Sequence, residues 1–176
     1  MEYSKFALGF MSVIGLAPHV AYCETFGTPD SASKSFFPGA HFDKKNIKLS
    51  NDQVKKIEKN SGEEVRDHTL KAWVTPKKEV MFIDQVLGKH EYITYAVGVS
   101  PKGKVVGIEI LEYRESYGQK VAEASWRKQF VGKDISSPLK LNTDIVNISG
   151  ATLSSAHISA GVRRILQSYE LIKASL

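Results

Sequence analysis

One cysteine, Cys23, stands in the 176 residues, so no internal disulfide framework can staple the fold. The N-terminal apolar run, Phe6 to Leu16, is 11 residues long; a bilayer-spanning helix needs roughly 20. No Lys/Arg run reaches the length of a polybasic patch, which leaves nucleic acid without its usual electrostatic footprint. No Gly-x-Ser-x-Gly elbow and no nicotinamide Gly-x-Gly-x-x-Gly fingerprint occurs, so neither an ordinary serine hydrolase nor a dehydrogenase is indicated. Metal-ligand spacing is also missing. His41 and His68 lack partners, His19 lies in the N-terminal segment, and His90-Glu91 are neighbours on a strand, where consecutive side chains point to opposite faces. No metal site is expected.

What is present is ordinary globular material, 42% hydrophobic and 24% charged with a net charge of +5, enough for one domain with a real core. Such a charge fits an acidic partner, an anionic cofactor or a membrane surface. Residues 1–23 read as a signal peptide: a polar start with Lys5, the apolar run, a break at Pro18, and Ala21-Tyr22-Cys23 in small-x-small register. Extension of the run to Ala21 keeps an uncleaved N-terminal anchor open. Tyr22 is bulky where a lipoprotein signal wants a small residue, so lipidation is not expected. The polar, periodless "ETFGTPDSASKS" at 24–35 reads as a linker, and the folded domain is assigned to 36–176.

Within that body, Ser50 and Gln53 stand at capping-box spacing before a short helix at 51–60 that Gly62 ends. Strands are expected around "TLKAWVT" and "EVMFIDQVLG". A long hairpin at 91–113 follows from the alternation of Ile93, Tyr95, Val97 and Val99, a turn at Pro101 to Lys104, and Val106, Ile108 and Ile110 beyond it. Trp126 and Phe130 would anchor a helix at 119–130. Ile158, Val162, Ile165, Leu166, Tyr169 and Ile172 mark a long C-terminal helix from about Ser155 to Ala174. Strands and helices without βαβ alternation predict a single α+β domain on a largely antiparallel sheet, with a long central hairpin and packed helices.

Directly before the last helix lies "SGATLSS", Ser149 to Ser155. A tight turn at Gly150 and Ala151 would present hydroxyls of Ser149, Thr152, Ser154 and Ser155 beside the unpaired amides of a helix start, a place suited to phosphate. Ordinary serine capping, with Ser154 or Ser155 as the cap, accounts for the same residues. A Walker loop does not, because no Lys follows the glycine at the required position. His157 is expected to be an exposed first-turn residue.

"SGATLSS" with the following "HISAGVRRIL" resembles the FMN-binding domain family, which includes the covalently flavinylated subunits of sodium-pumping NADH:quinone reductase and related redox complexes. The similarity extends upstream to "RESYG", Arg114 to Gly118, and to Trp126, Gln129 and Phe130. It implies FMN joined by a phosphoester bond to Thr152, with Ser149, Gly150, Ala151, Leu153 and Ser154 around the attachment and Glu115, Ser116, Tyr117 and Gly118 near the ring system. It also implies a separate flavin transferase for maturation and a membrane or periplasmic redox protein as electron donor or acceptor, in an exported, envelope-located carrier. Three features depart from the family pattern. Val146 replaces an Asp six positions before the threonine, with Asp144 two residues earlier; Ser116-Tyr117 replace Thr-Pro; and Tyr113 stands where a His is frequent. Covalent attachment is expected if Asp144 can substitute, and non-covalent FMN if it cannot. A non-redox envelope ligand-binding or regulatory module on the same fold is the alternative.

Overall fold

A computed structural model describes residues 24–115 and 117–176; the expected signal segment 1–23 and Ser116 lie outside the described residues. The chain runs β1 (Glu24–Thr25), α1 (Pro29–Phe36), β2 (Asp43–Lys48), α2 (Asn51–Ser61), β3 (Thr69–Val74), β4 (Val80–Leu87), β5 (Tyr92–Val99), β6 (Val105–Tyr113), α3 (Ala124–Arg127) and α4 (Thr152–Ile172). Six strands form one sheet in the order β1-β6-β5-β4-β3-β2, every neighbouring pair antiparallel. The α+β architecture is as expected. Among the described residues no helix is long and apolar enough to cross a membrane.

Side-chain alternation divides the sheet into two faces. Ala72 and Val74 of β3, Phe82 and Val86 of β4 and Ile93, Tyr95 and Val97 of β5 join α2 and α4 in the main core. The opposite face carries Met81, Ala96 and Leu111, covered by Phe36 and Phe37 at the end of α1, with Trp73 partly buried among them. Trp73 and its neighbours thus fall on opposite faces, as their spacing requires.

The stretch 24–35 is not a linker. β1 pairs with β6 through Glu24 with Tyr113 and Thr25 with Glu112, and α1 opens with a capping box in which Thr28 and Ser31 exchange side-chain and backbone hydrogen bonds of 3.1 and 2.8 Å. Pro29 sits at the first helical turn, where its missing N–H costs nothing. Phe36 then lies over Gly98 and Gly107, which face each other across β5 and β6; a Cβ on either glycine would come within 2.9 Å of the ring. Composition marked a linker because a serine-rich amphipathic helix is polar on average.

Two further expectations shift. Between Gly98 and Val99 the β5–β6 register slips, so Val105 enters the main core while Val106 packs on the α1 face; a bulge reverses the alternation beyond it. The helix expected at 119–130 is broken: a 3₁₀ turn at Gln119–Ala122 ends at Glu123 in extended conformation, α3 follows, and a second 3₁₀ turn covers Lys128–Phe130. Trp126 and Phe130 still anchor it, buried with ring centroids 5.0 Å apart. α2 agrees with expectation, capped by Ser50 and Gln53 and stopped at Gly62. α4 begins at Thr152, three residues earlier than its apolar periodicity indicates.

Candidate functional site

Tyr113 ends β6 on the core face and is fully buried. Its hydroxyl donates to the Tyr117 carbonyl at 2.6 Å and lies 3.0 Å from Ser154 Oγ. A phenol has one proton, so Ser154 is the donor of the second bond. Burial raises the Tyr113 pKa, with the Ser154 bond opposing it and the charge of Glu115 adding to it. Gly118 closes the loop at φ +99°; a Cβ there would collide with the Tyr113 hydroxyl and stand 3.1 Å from the Ala151 methyl. The two sequence motifs, 114–118 and 147–155, are therefore walls of one site.

Glu115 holds this loop to the β4–β5 turn. Its Oε1 accepts from the amides of His90 at 2.6 Å and Glu91 at 3.0 Å. Burial alone would push its carboxyl up, but the amides of Glu91, His90 and Lys89 together hold it below the ordinary carboxylate value. This carboxylate braces backbone, with Oε1 committed to the chain. Tyr117 is 83% exposed.

On the other wall, the Ala151 amide donates to the Ile148 carbonyl at 2.9 Å and closes a turn through exposed Ser149 and Gly150, the latter at φ +82°. Thr152 follows as the first helical residue, exposed, with Leu153 47% exposed beside it. Asn147 Nδ2 donates to Thr152 Oγ1 at 3.1 Å. The threonine hydroxyl therefore has one of its two lone pairs occupied by a donor, with the other lone pair and its own proton left to use.

The start of α4 differs from the starts of α1 and α2. Those two carry capping boxes, whereas α4 begins at Ala151 with no side-chain cap. Neither serine expected as cap serves: Ser154 bonds Tyr113, and Ser155 is fully buried. The first amides of α4 and the positive end of its dipole remain without a side-chain acceptor. Among the described residues, the buried side-chain oxygens without a partner are Asn147 Oδ1 and Ser155 Oγ, both in this stretch. Buried polar atoms are rarely left so.

Trp126 and Gln129, recognisable in sequence by pattern alone, now have a mechanical role. Trp126 Nε1 donates to the Val146 carbonyl at 2.8 Å, and Gln129 Oε1 accepts from the Val146 amide at 2.7 Å. Together they clasp the strand of chain leading into the turn and leave the Val146 side chain 66% exposed. Asp144 does not share that outward face: it accepts from Lys133 Nζ at 2.9 Å and from the amides of Leu139 and Lys140 at 3.2 and 2.9 Å. Burial opposes ionisation of Asp144, and those donors outweigh it to lower its pKa.

His157 is half-buried and bonds the Leu87 carbonyl through Nδ1, not exposed as expected. Asn147 is the site residue that sequence reasoning missed; its place five positions before Thr152 was the available signal. No group of three His, Cys, Asp or Glu able to hold a metal occurs among the described residues.

Residues 88–167 match the family model described as FMN-binding domain. This segment is similar to the FMN-binding domain family. No curated protein matches the chain. The matched segment spans β5, β6, α3, the turn and most of α4, which includes both walls of the site; the match supports flavin binding and, in general, electron transfer. The strands and helices before residue 88 lie outside the match.

Proposed function

We propose that the protein is an exported electron-transfer flavoprotein whose FMN is joined through its phosphate to Thr152 Oγ1. The observation that carries this reading is the uncapped start of α4, with an exposed threonine hydroxyl held by Asn147 at the mouth of a glycine turn. The donor set fits a phosphate: free amides, a helix dipole and no carboxylate bonded to the turn. When bound, the flavin supplies one- and two-electron chemistry.

The chain's own residues orient and hold. Asn147 fixes the threonine rotamer, Gly150 keeps the approach free of a Cβ, and the clasp of Trp126 and Gln129 sets the direction in which 146–152 faces a modifying enzyme. In maturation, Thr152 Oγ1 would attack the flavin-side phosphorus of a flavin dinucleotide on a transferase; the pyrophosphate bond breaks, a nucleoside monophosphate leaves, and the hydroxyl proton passes to the transferase. A tether keeps an exported cofactor at high effective concentration, where a dissociated one would be diluted away. A membrane or periplasmic redox protein would exchange electrons with it. Export rests on the sequence of residues 1–23.

Intact mass and in-gel fluorescence of denatured protein, after expression with a competent flavin transferase, test the reading. One added FMN less water, mapped to the peptide holding Thr152, supports it. Yellow native protein with unmodified mass would replace it by non-covalent binding, and colourless protein by a non-redox module.

A further inference from the structure

β3 and β4 pair from Lys71 with Ile83 to Val74 with Val80. Beyond Ile83 they part: Thr69 and Leu70 stay with β2, while Asp84 to Leu87 stay with β5. The gap opens into a cavity of about 530 Å³, within the range of small-molecule sites and far larger than the packing voids of a core.

The gap is not an edge awaiting a strand. Arg164 Nη2 donates to the Gln85 carbonyl at 2.9 Å, and Asp84 Oδ1 accepts from the Gln85 amide at 2.8 Å. His157 takes the Leu87 carbonyl. Side chains thus take the Gln85 amide and the Gln85 and Leu87 carbonyls that β3 leaves, which blunts this edge against strand addition. What the gap offers is space with an apolar floor.

That floor is Val65, Leu70, Phe82 and Ile165, the last two 2% exposed. The cations at the cavity are differently placed. Arg164 is consumed by Asp84 and by the Glu64 and Gln85 carbonyls. Arg66 is half in solvent, lies 5.0 Å over the Tyr92 ring, and has Glu64, at 3.7 Å, as its ion-pair partner among the described residues. Lys71 is exposed on the wall. On the remaining wall Gln85 donates to Thr94 Oγ1 at 3.0 Å, which leaves the Thr94 hydroxyl proton to give.

We infer that the gap between β3 and β4 is a binding site for amphipathic carboxylates, the apolar body against Leu70, Phe82 and Ile165 and the carboxylate at Arg66 and Lys71. Most of the site comes from residues before 88, outside the matched segment. Its α4 contribution begins at Arg164, 12 residues along the helix from Thr152, about 18 Å at 1.5 Å per residue. The inference does not depend on where flavin is attached.

Titration calorimetry of the purified protein, with and without flavin, against 2-naphthoate and decanoate tests it, the two probes separating a flat aromatic acid from an acyl acid. Binding of either at micromolar to low-millimolar concentration is expected, about tenfold weaker for the matching alcohol and for Arg66→Gln, the loss expected for one charge-assisted bond. Leu70→Trp should fill the gap and abolish binding; its folding is checked by circular dichroism, and Ile165→Phe gives a second filling variant. Three results would overturn the inference: no heat with any probe, undiminished binding in folded Leu70→Trp and Ile165→Phe, or binding by the flavin-free protein that flavin loading abolishes, which would make the gap the flavin's own seat.

Discussion

The hydroxyl of Tyr113, at the end of β6, lies 3.0 Å from Ser154 Oγ in the first turn of α4, 41 residues away in sequence, and the same hydroxyl donates to the Tyr117 carbonyl. One phenol thus joins the sheet, the upstream loop and the helix that carries Thr152. Tyr113→Phe leaves the buried Ser154 hydroxyl without its partner and releases the carbonyl of exposed Tyr117, at a cost of about 1–2 kcal/mol. Ser154→Ala should cost about 1 kcal/mol, and the double variant less than the sum, because both remove one shared bond. Denaturant midpoints of the four proteins measure the coupling; strict additivity would mean that the bond contributes nothing.

Asn147 acts on Thr152 alone, since its amide reaches Oγ1 at 3.1 Å and its own oxygen has no partner. Asn147→Ala should slow flavin incorporation about tenfold, the equivalent of one neutral hydrogen bond, with the melting temperature nearly unchanged. Thr152→Val should abolish incorporation. Mass spectrometry over a time course with the transferase reads both. Incorporation in Thr152→Val would move the attachment to another hydroxyl, while an unaltered rate in Asn147→Ala would leave Asn147 without a positioning role.

Much of this was legible in the sequence, for reasons that can be named. The apolar repeat from Ile158 to Ile172 defined α4 because one face of it is core, and Ser50 with Gln53 marked α2 because both partners of a capping box are local. α1 escaped because what fixes it is distant: Phe36 needs Gly98 and Gly107, which lie 62 and 71 residues on. The same holds in the site. "SGAT" and "RESYG" were visible as words, but the phenol of Tyr113 that joins them, and the clasp of Trp126 and Gln129 on Val146, are contacts between segments that no local pattern contains.

Val146 offers a second handle on maturation. Its backbone is clasped and its side chain is 66% exposed, while Asp144, the nearest carboxylate upstream, is bound to Lys133 and two amides. Val146→Asp would place a carboxylate where the family pattern has one, without disturbing the core. Flavin incorporation should rise several-fold at limiting transferase, the scale of an exposed charge contact. Asp144→Asn should leave incorporation alone and lower stability by loosening the 139–145 turn. Loss of incorporation in Asp144→Asn would show that the transferase reads Asp144 after all.

Glu115 makes the loop acid-sensitive. Its carboxyl, against the burial that would raise it, is held below its ordinary value of 4.5 by the amides of residues 89–91. A lowered native pKa contributes stability above the unfolded value and loses it as pH falls through the native one. Stability should therefore fall as the pH drops below about 4.5, the ordinary carboxyl value, and Glu115→Gln should be less stable at neutral pH while showing a shallower acid limb. Urea midpoints at about pH 7 and about pH 4 compare the two proteins; parallel acid limbs would assign the transition to other carboxylates.

Arg164 and Asp84 finish the sheet where β3 leaves it. Arg164, 8% exposed, gives two bonds to Asp84 Oδ2 at 2.6 and 3.2 Å and one each to the Glu64 and Gln85 carbonyls. Tyr95, fully buried, donates to the same Asp84 oxygen at 3.1 Å, and burial with the Asp84 charge raises its pKa well above the ordinary phenol value. Removing the guanidinium leaves a carboxylate and two carbonyls without their common partner. Arg164→Met should cost about 2–4 kcal/mol, below the full range for buried pairs because Asp84 is 31% exposed at its side chain. Asp84→Leu in the same background should recover part of that loss, since it removes the orphaned charge. Hydrogen exchange separates this from general destabilisation: the amide of Gln85, which faces the open edge, should exchange earlier than those of β5 in Arg164→Met, because the β4 edge has lost its cap while the β4–β5 ladder persists. Uniform acceleration across β4 and β5 would mean that Arg164 supports the core as a whole and not this edge.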